Sequence, residues 1–399
     1  MKNKYYRIGP EFFKSVEVPG INGERNLRII KWNRQTIIDD HGKDCLEGIK
    51  KYDGFTVVPS HTKYQQVIGE FYNKYHPLSH KVLHHNQSKI ENTLNFLGHV
   101  FGEQLEIGLD YLGILWHHPT HILPILCLVS EERSTGKTTF LNWLKSIFED
   151  NMTLNNNEDL RSRFNSDWTN KLIVAVDEVL LDKKEDSERL KNLSTAKNYK
   201  TESKGKDKIE TQFFGKFILC SNNESNFILI DENEIRYWVR KVPKLENSNP
   251  KLFETLTAEL PYFIDLLIKR KVTSPRKTRM WFTRDQIATE ALKKLVKGTK
   301  LSIEKELIFL LEEMFDDFDT DEICLSFNEL SEIFNKSRIR ITRKDIRRIV
   351  IEKWKIHSEN SSYKMYYKAI NPSTGEWEVE FENKKGRFYR FNRDFIKNV

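Results

Sequence analysis

The sequence predicts an α/β fold: a core of buried strands, a helical region ahead of it and a helix-rich, hairpin-ended module behind it. Three stretches predict the core. The uncharged run 122–129 passes through a polar turn into Gly136-Lys137-Thr138, then into Phe140, Leu141, Trp143 and Leu144 at helical spacing. That order reads as buried strand, phosphate-cradling turn and helix. A second run, Leu172-Ile173-Val174-Ala175-Val176, leads straight into Asp177-Glu178, and a third, Phe217-Ile218-Leu219-Cys220, into Ser221-Asn222-Asn223.

At 399 residues the chain has length for two or three domains with their own cores. A net charge of +7 permits a polyanionic partner without demanding one. With 31% charged residues and no apolar run of about 18 residues, a soluble protein without membrane contact is expected. Cys45, Cys127, Cys220 and Cys324 are far apart and form no CxxC pair, which suits a reducing cytoplasm. The first residues, MKNKYYRIGPEFF, lack the apolar core of a secretory signal. His76, His80, His84 and His85, and His117, His118 and His121, form two groups, but no cysteine or carboxylate spacing completes a metal site, so they read as structural.

In chain order, residues 1–62 read as a small irregular segment, partly β, broken at Pro19-Gly20, Asn22-Gly23 and Asp53-Gly54. Residues 63–117 turn to helical spacing: Tyr64, Val67, Ile68, Phe71 and Tyr72, then Ile90, Leu94, Leu97 and Val100, then Leu105, Leu109, Leu112 and Leu115. These predict a helical collar, or plain core helices, packed on the central unit at 118–272. Residues 273–300 read as a basic linker and helix, with Lys297-Gly298-Thr299-Lys300 as a break, and 301–399 as the C-terminal module.

The site chemistry follows from residue type and place. Ser134, Thr135, Gly136, Lys137, Thr138 and Thr139 would cradle a polyphosphate at a helix N-terminus, with Lys137 near its terminal phosphates and the Thr138 hydroxyl on Mg²⁺. The full pattern has a glycine where this chain has Glu131, and a surface turn would share the Gly-Lys dipeptide. At the end of the second strand, Asp177 would hold the Mg²⁺ shell and Glu178 would polarise a water, although a solvated acidic turn looks alike. Asn222, ahead of Asn223, would meet a γ-phosphate, or only make a turn. Alternation on either side of Lys204-Gly205-Lys206 predicts a β-hairpin with a basic tip, where Lys204 and Lys206 would track a nucleic-acid backbone unless the hairpin is merely solvated. Arg236, with Arg240 as the other choice, would reach a neighbouring subunit's γ-phosphate or form a structural ion pair.

In the C-terminal third, a helix from residue 302, helices at 327–334 and 342–354, and strands at 365–370, 377–381 and 388–391 suggest a winged helix. Pro372-Ser373-Thr374-Gly375 and Lys384-Lys385-Gly386 read as its turns. Thr342 and Asp345 are spaced as a capping box. Lys336, Arg338, Arg340, Arg343, Lys344, Arg347, Arg348 and Lys353 crowd around two acids, Asp345 and Glu352. That surplus suits phosphate contacts and groove entry on DNA, or a solvated face.

Taken together, 132–139 (ERSTGKTT), Val174-Ala175-Val176-Asp177-Glu178, the Lys204-Gly205-Lys206 hairpin, 217–222 (FILCSN) and Arg236 resemble the A, B, B′ and C motifs and arginine finger of superfamily 3 helicases, AAA+ P-loop ATPases of phage, viral and mobile-element primase-helicases, including the poxvirus-like group. The resemblance spans about residues 90–265 and tolerates Glu131. It implies a ring, commonly a homo-hexamer, with ATP and Mg²⁺ at subunit interfaces and hairpins around single-stranded DNA. It also implies work on forked DNA in a bacterial host's cytoplasm. No carboxylate-rich primase motif is seen in the first 90 residues, so the primase would be a separate partner. The rival expectation is an AAA+ initiator or loader that hydrolyses ATP on DNA without unwinding it.

Overall fold

Each of the three apolar runs becomes a strand of one five-stranded parallel sheet in the computed structural model, which describes residues 4–19, 25–162, 164–181, 184–202, 207–231, 234–246, 249–336, 341–370 and 375–398. The strands are β1 (Ile125–Val129), β2 (Met152–Asn155), β3 (Ile173–Val176), β4 (Lys216–Ser221) and β5 (Tyr237–Lys241), laid side by side as β5-β1-β4-β3-β2. Every residue of β1, β3 and β4 is buried. A parallel sheet is covered on both faces, so its central strands have no polar side to show. Leu126 and Leu128 enter one core with Ile218 and Trp238, and Ile125, Cys127 and Val129 enter the other with Leu219 and Val239.

The first face is covered by α1 (Glu91–Phe101), α2 (Leu105–His117), α3 (Lys137–Phe148) and α4 (Leu252–Lys269), which supply Phe101, Tyr111, Trp143 and Phe263. Full burial of such a side chain stabilises by about 1.5–3 kcal/mol. The chain leaving α4 is tied back to α2 by Asp110, whose fully buried carboxylate accepts from Arg270 Nε at 3.0 Å, Thr273 Oγ1 at 2.8 Å and Ser274 Oγ at 2.6 Å. The second face is covered by the helix Lys184–Leu193 and by the start of α5 (Glu290–Asp317).

Ahead of the sheet, Tyr5–Ile8, Glu11–Pro19, Arg25–Trp32 and Lys50–Tyr52 form a four-stranded sheet. The helical spacing from Tyr64 to Tyr72 does not yield a helix. Val67–Ile68 and Phe71–Asn73 are short antiparallel strands around Gly69, whose φ of 57° is a turn geometry. Tyr72 is drawn instead into a ring cluster with Tyr6, Tyr52 and Phe55, centroids 5.4 to 6.1 Å apart.

The break expected at 297–300 is absent as well, because α5 runs unbroken for 28 residues. Gly298 is there for closeness rather than for a turn: a Cβ on it would stand 1.8 Å from the Ser225 carbonyl oxygen. At the next residue, Thr299 Oγ1 accepts the Ile230 N–H at 3.1 Å. The far end of α5 supplies Leu307, Leu311 and Phe315 to the core of the C-terminal module.

That module continues with β6 (Glu322–Leu325), α6 (Phe327–Lys336) and α7 (Arg343–Ile346), which widens into a π-type turn over Arg347–Lys353, and ends with β7 (Glu359–Ile370), β8 (Trp377–Asn392) and the helix Arg393–Lys397. The capping box is formed: Asp345 N–H donates to Thr342 Oγ1 and Thr342 N–H to Asp345 Oδ2. Lys384-Lys385-Gly386 is not a turn. It pairs with Tyr363, Ser362 and Ser361 inside one 16-residue strand. Pro372, Ser373 and Thr374 lie outside the described residues, as do Gly20, Asn22 and Gly23. No helix among the described residues is long and apolar enough to cross a membrane.

Candidate active site

The loop between β1 and α3 is shaped by two residues in left-handed backbone, Ser134 at φ 58° and Gly136 at φ 87°. Gly136 is the tight point, since a Cβ there would meet the Phe96 ring of α1 at 3.0 Å. The outer side of the loop is braced: His99 Nε2 bonds the Thr135 carbonyl at 3.0 Å, and the Leu245 N–H donates to Ser134 O at 3.2 Å. No side chain caps α3. Its first-turn N–H groups therefore open on the loop with the positive end of the helix dipole behind them.

Lys137 is 6% exposed. Its Nζ donates to Ser130 Oγ, to Asn222 Oδ1 at 3.0 Å and to Thr135 Oγ1 at 3.3 Å. Burial holds its ammonium below the usual lysine range, against the opposing pull of Asp177, Glu224 and Glu178. A buried cation held only by neutral oxygens is costly, and an anion placed beside it removes the cost. Thr138 Oγ1 donates to Asp177 Oδ2 at 2.6 Å, and Asp177 Oδ1 accepts the Glu178 N–H at 3.0 Å. Glu178 stands in left-handed backbone at φ 52° with its side chain exposed. Such a strained residue at a strand end is a common mark of a functional site.

Asn222 and Asn223 part company. Asn222 meets Lys137, whereas Asn223 Oδ1 accepts the N–H groups of Ser225 and Asn226 and so builds the turn. Ser134, Thr138 and Asn222 are exposed, Thr139 is half-buried and Thr135 is buried. The loop, Asp177 and Asn222 thus converge at the carboxyl ends of β1, β3 and β4, where ligands of open α/β sheets are bound. The hard oxygens of Thr138 and Asp177 suit a Mg²⁺ ion. Lys137 and the α3 N-terminus suit phosphate.

Glu131 does not need glycine's freedom, being outside the left-handed region. Its N–H donates to Glu224 Oε1 at 3.1 Å, and its carboxylate pairs with Lys294 at 2.7 Å. Glu224 is buried and also takes Lys241 at 3.1 Å and Lys294 at 2.9 Å. Burial raises its carboxyl, and the two lysines more than reverse that. This network joins the phosphate loop, the β4 turn, β5 and α5, and no sequence signal marked it. Ser130 and His99 were missed likewise.

Arg240 is buried, with Nη1 donating to Glu103 Oε1 at 2.5 Å and Gln104 Oε1 at 3.1 Å. Arg236 pairs with Glu234 at 2.6 Å and is about a quarter exposed. The strands Asn198–Thr201 and Ile209–Gln212 pair antiparallel, as the hairpin requires, and its tip, with Lys204 and Lys206, lies outside the described residues. Arg163, Arg338 and Arg340 lie outside them too.

A family of unknown function, DUF5906, matches residues 128–240, from the end of β1 into β5. No curated protein matches the chain. Among solved structures, an apo structure of the NrS-1 C-terminal region aligns with a TM-score of 0.58 at 17% identity, over 97% of this chain and 95% of that one. A second apo form of that region also gives 0.58, at 18% identity over 97% and 96%. The chain has the NrS-1 C-terminal fold. JCV helicase, at a TM-score of 0.31 and 12% identity over 55% of this chain and 62% of that one, is too distant to argue from. The NrS-1 likeness extends over the C-terminal module, where Arg343, Lys344 and Arg347 are exposed on α7 and its π-type extension, and Arg343 lies 5.0 Å from the Phe327 ring. Arg348 turns back to Asp345 at 3.4 Å.

Proposed function

We propose that the chain is an ATP-driven, Mg²⁺-dependent DNA helicase of superfamily 3, AAA+ type, acting in the replication of a phage or mobile element inside a bacterial cytoplasm. The observation that carries this reading is the meeting of Lys137, Asn222 and the Thr138–Asp177 pair at the ends of three adjacent strands. Lys137 and the backbone from Ser134 to Thr139 hold the phosphates. Thr138 and Asp177 hold Mg²⁺, which neutralises phosphate charge when bound. Glu178 takes the proton of the attacking water, and Asn222 positions the γ-phosphate through its amide.

The assembly in this reading is a ring, commonly a hexamer, in which Arg236 acts on the neighbour's ATP. Both arginines are paired within their own chain, Arg240 to Glu103 and Arg236 to Glu234, but Arg240 is buried whereas Arg236 is about a quarter exposed, which favours Arg236 for the role. Lys204 and Lys206 grip single-stranded DNA, and Arg343, Lys344, Arg347 and Arg348 contact phosphates of forked DNA.

The test is displacement of a labelled strand from a forked duplex with ATP and Mg²⁺. Displacement by the wild type and none by Lys137→Ala supports the helicase. Strong DNA-stimulated ATPase with no displacement supports the second reading, an initiator or loader, which the exposed basic side chains of the C-terminal module also favour.

A further inference from the structure

Strands β7 and β8 pair over twelve positions, from Glu359 opposite Phe388 to Ile370 opposite Trp377. Residues opposite one another in an antiparallel pair share a face, and here the two faces differ in kind. One carries Lys364, Lys368, Lys385 and Arg387, with no carboxylate among its described residues in the two strands. The other carries Glu359, Glu378, Glu380 and Glu382 against Lys384 and Arg390, the latter paired with Glu359 at 2.9 Å. Along β8 the alternation is strict, Trp377-Glu378-Val379-Glu380-Phe381-Glu382.

The basic face is also the apolar one. Near its base, Tyr366 stacks on Phe318 at 5.9 Å. Further out, Val379 is 44%, Phe381 48%, Ile370 55% and Trp377 67% exposed. Lys364 Nζ lies 4.4 Å from the Phe381 ring centroid, and Lys368 reaches Asp317 at 2.7 Å in an exposed pair of the kind that exchanges at little cost. A ribbon that keeps four large apolar side chains in water on the face where its cations meet no carboxylate of the two strands has a surface complementary to an anionic partner with flat apolar parts.

We propose that this face is a stacking site for single-stranded nucleic acid, with bases on Trp377 and Phe381 and phosphates toward Lys364 and Lys368. Unpaired bases offer π-faces to aromatic rings, whereas a duplex keeps its base faces inside the stack. The glutamates behind admit the strand from one side only. The choice of nucleic acid rests on the reading of the chain as a DNA-handling protein, but the binding requires no ATP.

The experiment is fluorescence anisotropy of dye-labelled oligothymidine, and of a duplex of equal length, with the full chain in the absence of nucleotide. In Trp377→Ala/Phe381→Ala the Kd for oligothymidine rises about tenfold or more while the duplex Kd stays within about twofold. Trp377→Tyr/Phe381→Tyr restores most of the loss. Unchanged oligothymidine affinity overturns the proposal, as does an equal loss on duplex. A loss of self-association with oligothymidine affinity intact overturns it in favour of a contact between copies. Lys137→Ala keeps wild-type affinity here, so failure of the ATPase reading and failure of this one are told apart.

Discussion

Asn222 Oδ1 accepts a hydrogen bond from Lys137 Nζ at 3.0 Å, which links the tip of β4 to the first residue of α3. In the proposed function, a phosphate placed on Lys137 would compete with or join that bond, and Asn222 would register it directly. We predict that Asn222→Ala lowers kcat by about 10²-fold or more while ATP binding changes little, because the amide acts on charge that develops during the reaction. Lys137→Ala abolishes binding itself. Steady-state kinetics with fluorescent-nucleotide titration separates the two, and equal loss of binding in both variants would refute the division of roles.

The contact of Thr138 with Asp177 predicts a metal phenotype. Asp177→Asn keeps the shape but removes a charge, so the Mg²⁺ concentration for half-maximal ATPase rises at least about tenfold. A Mg²⁺ titration that superposes on the wild type contradicts the assignment.

Gly298 and Ser225 define a point where α5 and the β4 turn touch through backbone. Gly298→Ala has nowhere to put its methyl, and overpacking of this kind costs about 1–3 kcal/mol or more. Lys297→Ala, one residue away and exposed, costs less than about 0.5 kcal/mol. Thermal unfolding of both variants checks the difference, and an unshifted midpoint for Gly298→Ala would count against the contact.

Lys216 gives a pH prediction. Fully buried, it donates to the Phe214 carbonyl at 2.7 Å and to that of Pro119, and burial pushes its ammonium from 10.5 down to about 7. Between those values the unfolded chain binds the proton that the folded chain has released, so this group makes stability rise with pH from about 7 to 10.5. Lys216→Met removes that contribution. Denaturant midpoints measured across the window show a shallower slope in the variant, and identical slopes would refute the assignment.

What was legible in the sequence is what chemistry marks locally. The all-apolar strands, the Gly136-Lys137-Thr138 turn, Asp177-Glu178 and Asn222 were read from residue type and order, and the structure brings all of them to one end of the sheet. β2 gave little signal because an edge strand with one open side does not need an apolar run. Tyr64 to Tyr72 misled because these residues share no common face: Tyr64 packs on the first core, Val67 and Phe71 stand exposed on short strands, and Tyr72 joins a ring cluster with Tyr6 and Tyr52. Gly298 misled because glycine serves close approach as well as turns. The Glu131–Glu224–Lys294 network was invisible, since three charged residues scattered over 164 positions carry no pattern until the fold joins them.

The most direct measurement of the central claim is the ATPase rate against added single-stranded DNA for the wild type and Glu178→Gln, with the mass of each species in solution. The account predicts a rate that rises with DNA in a hexamer-sized species and is lost in Glu178→Gln without loss of assembly. A rate that ignores DNA, or no hydrolysis by a monomer, would contradict it.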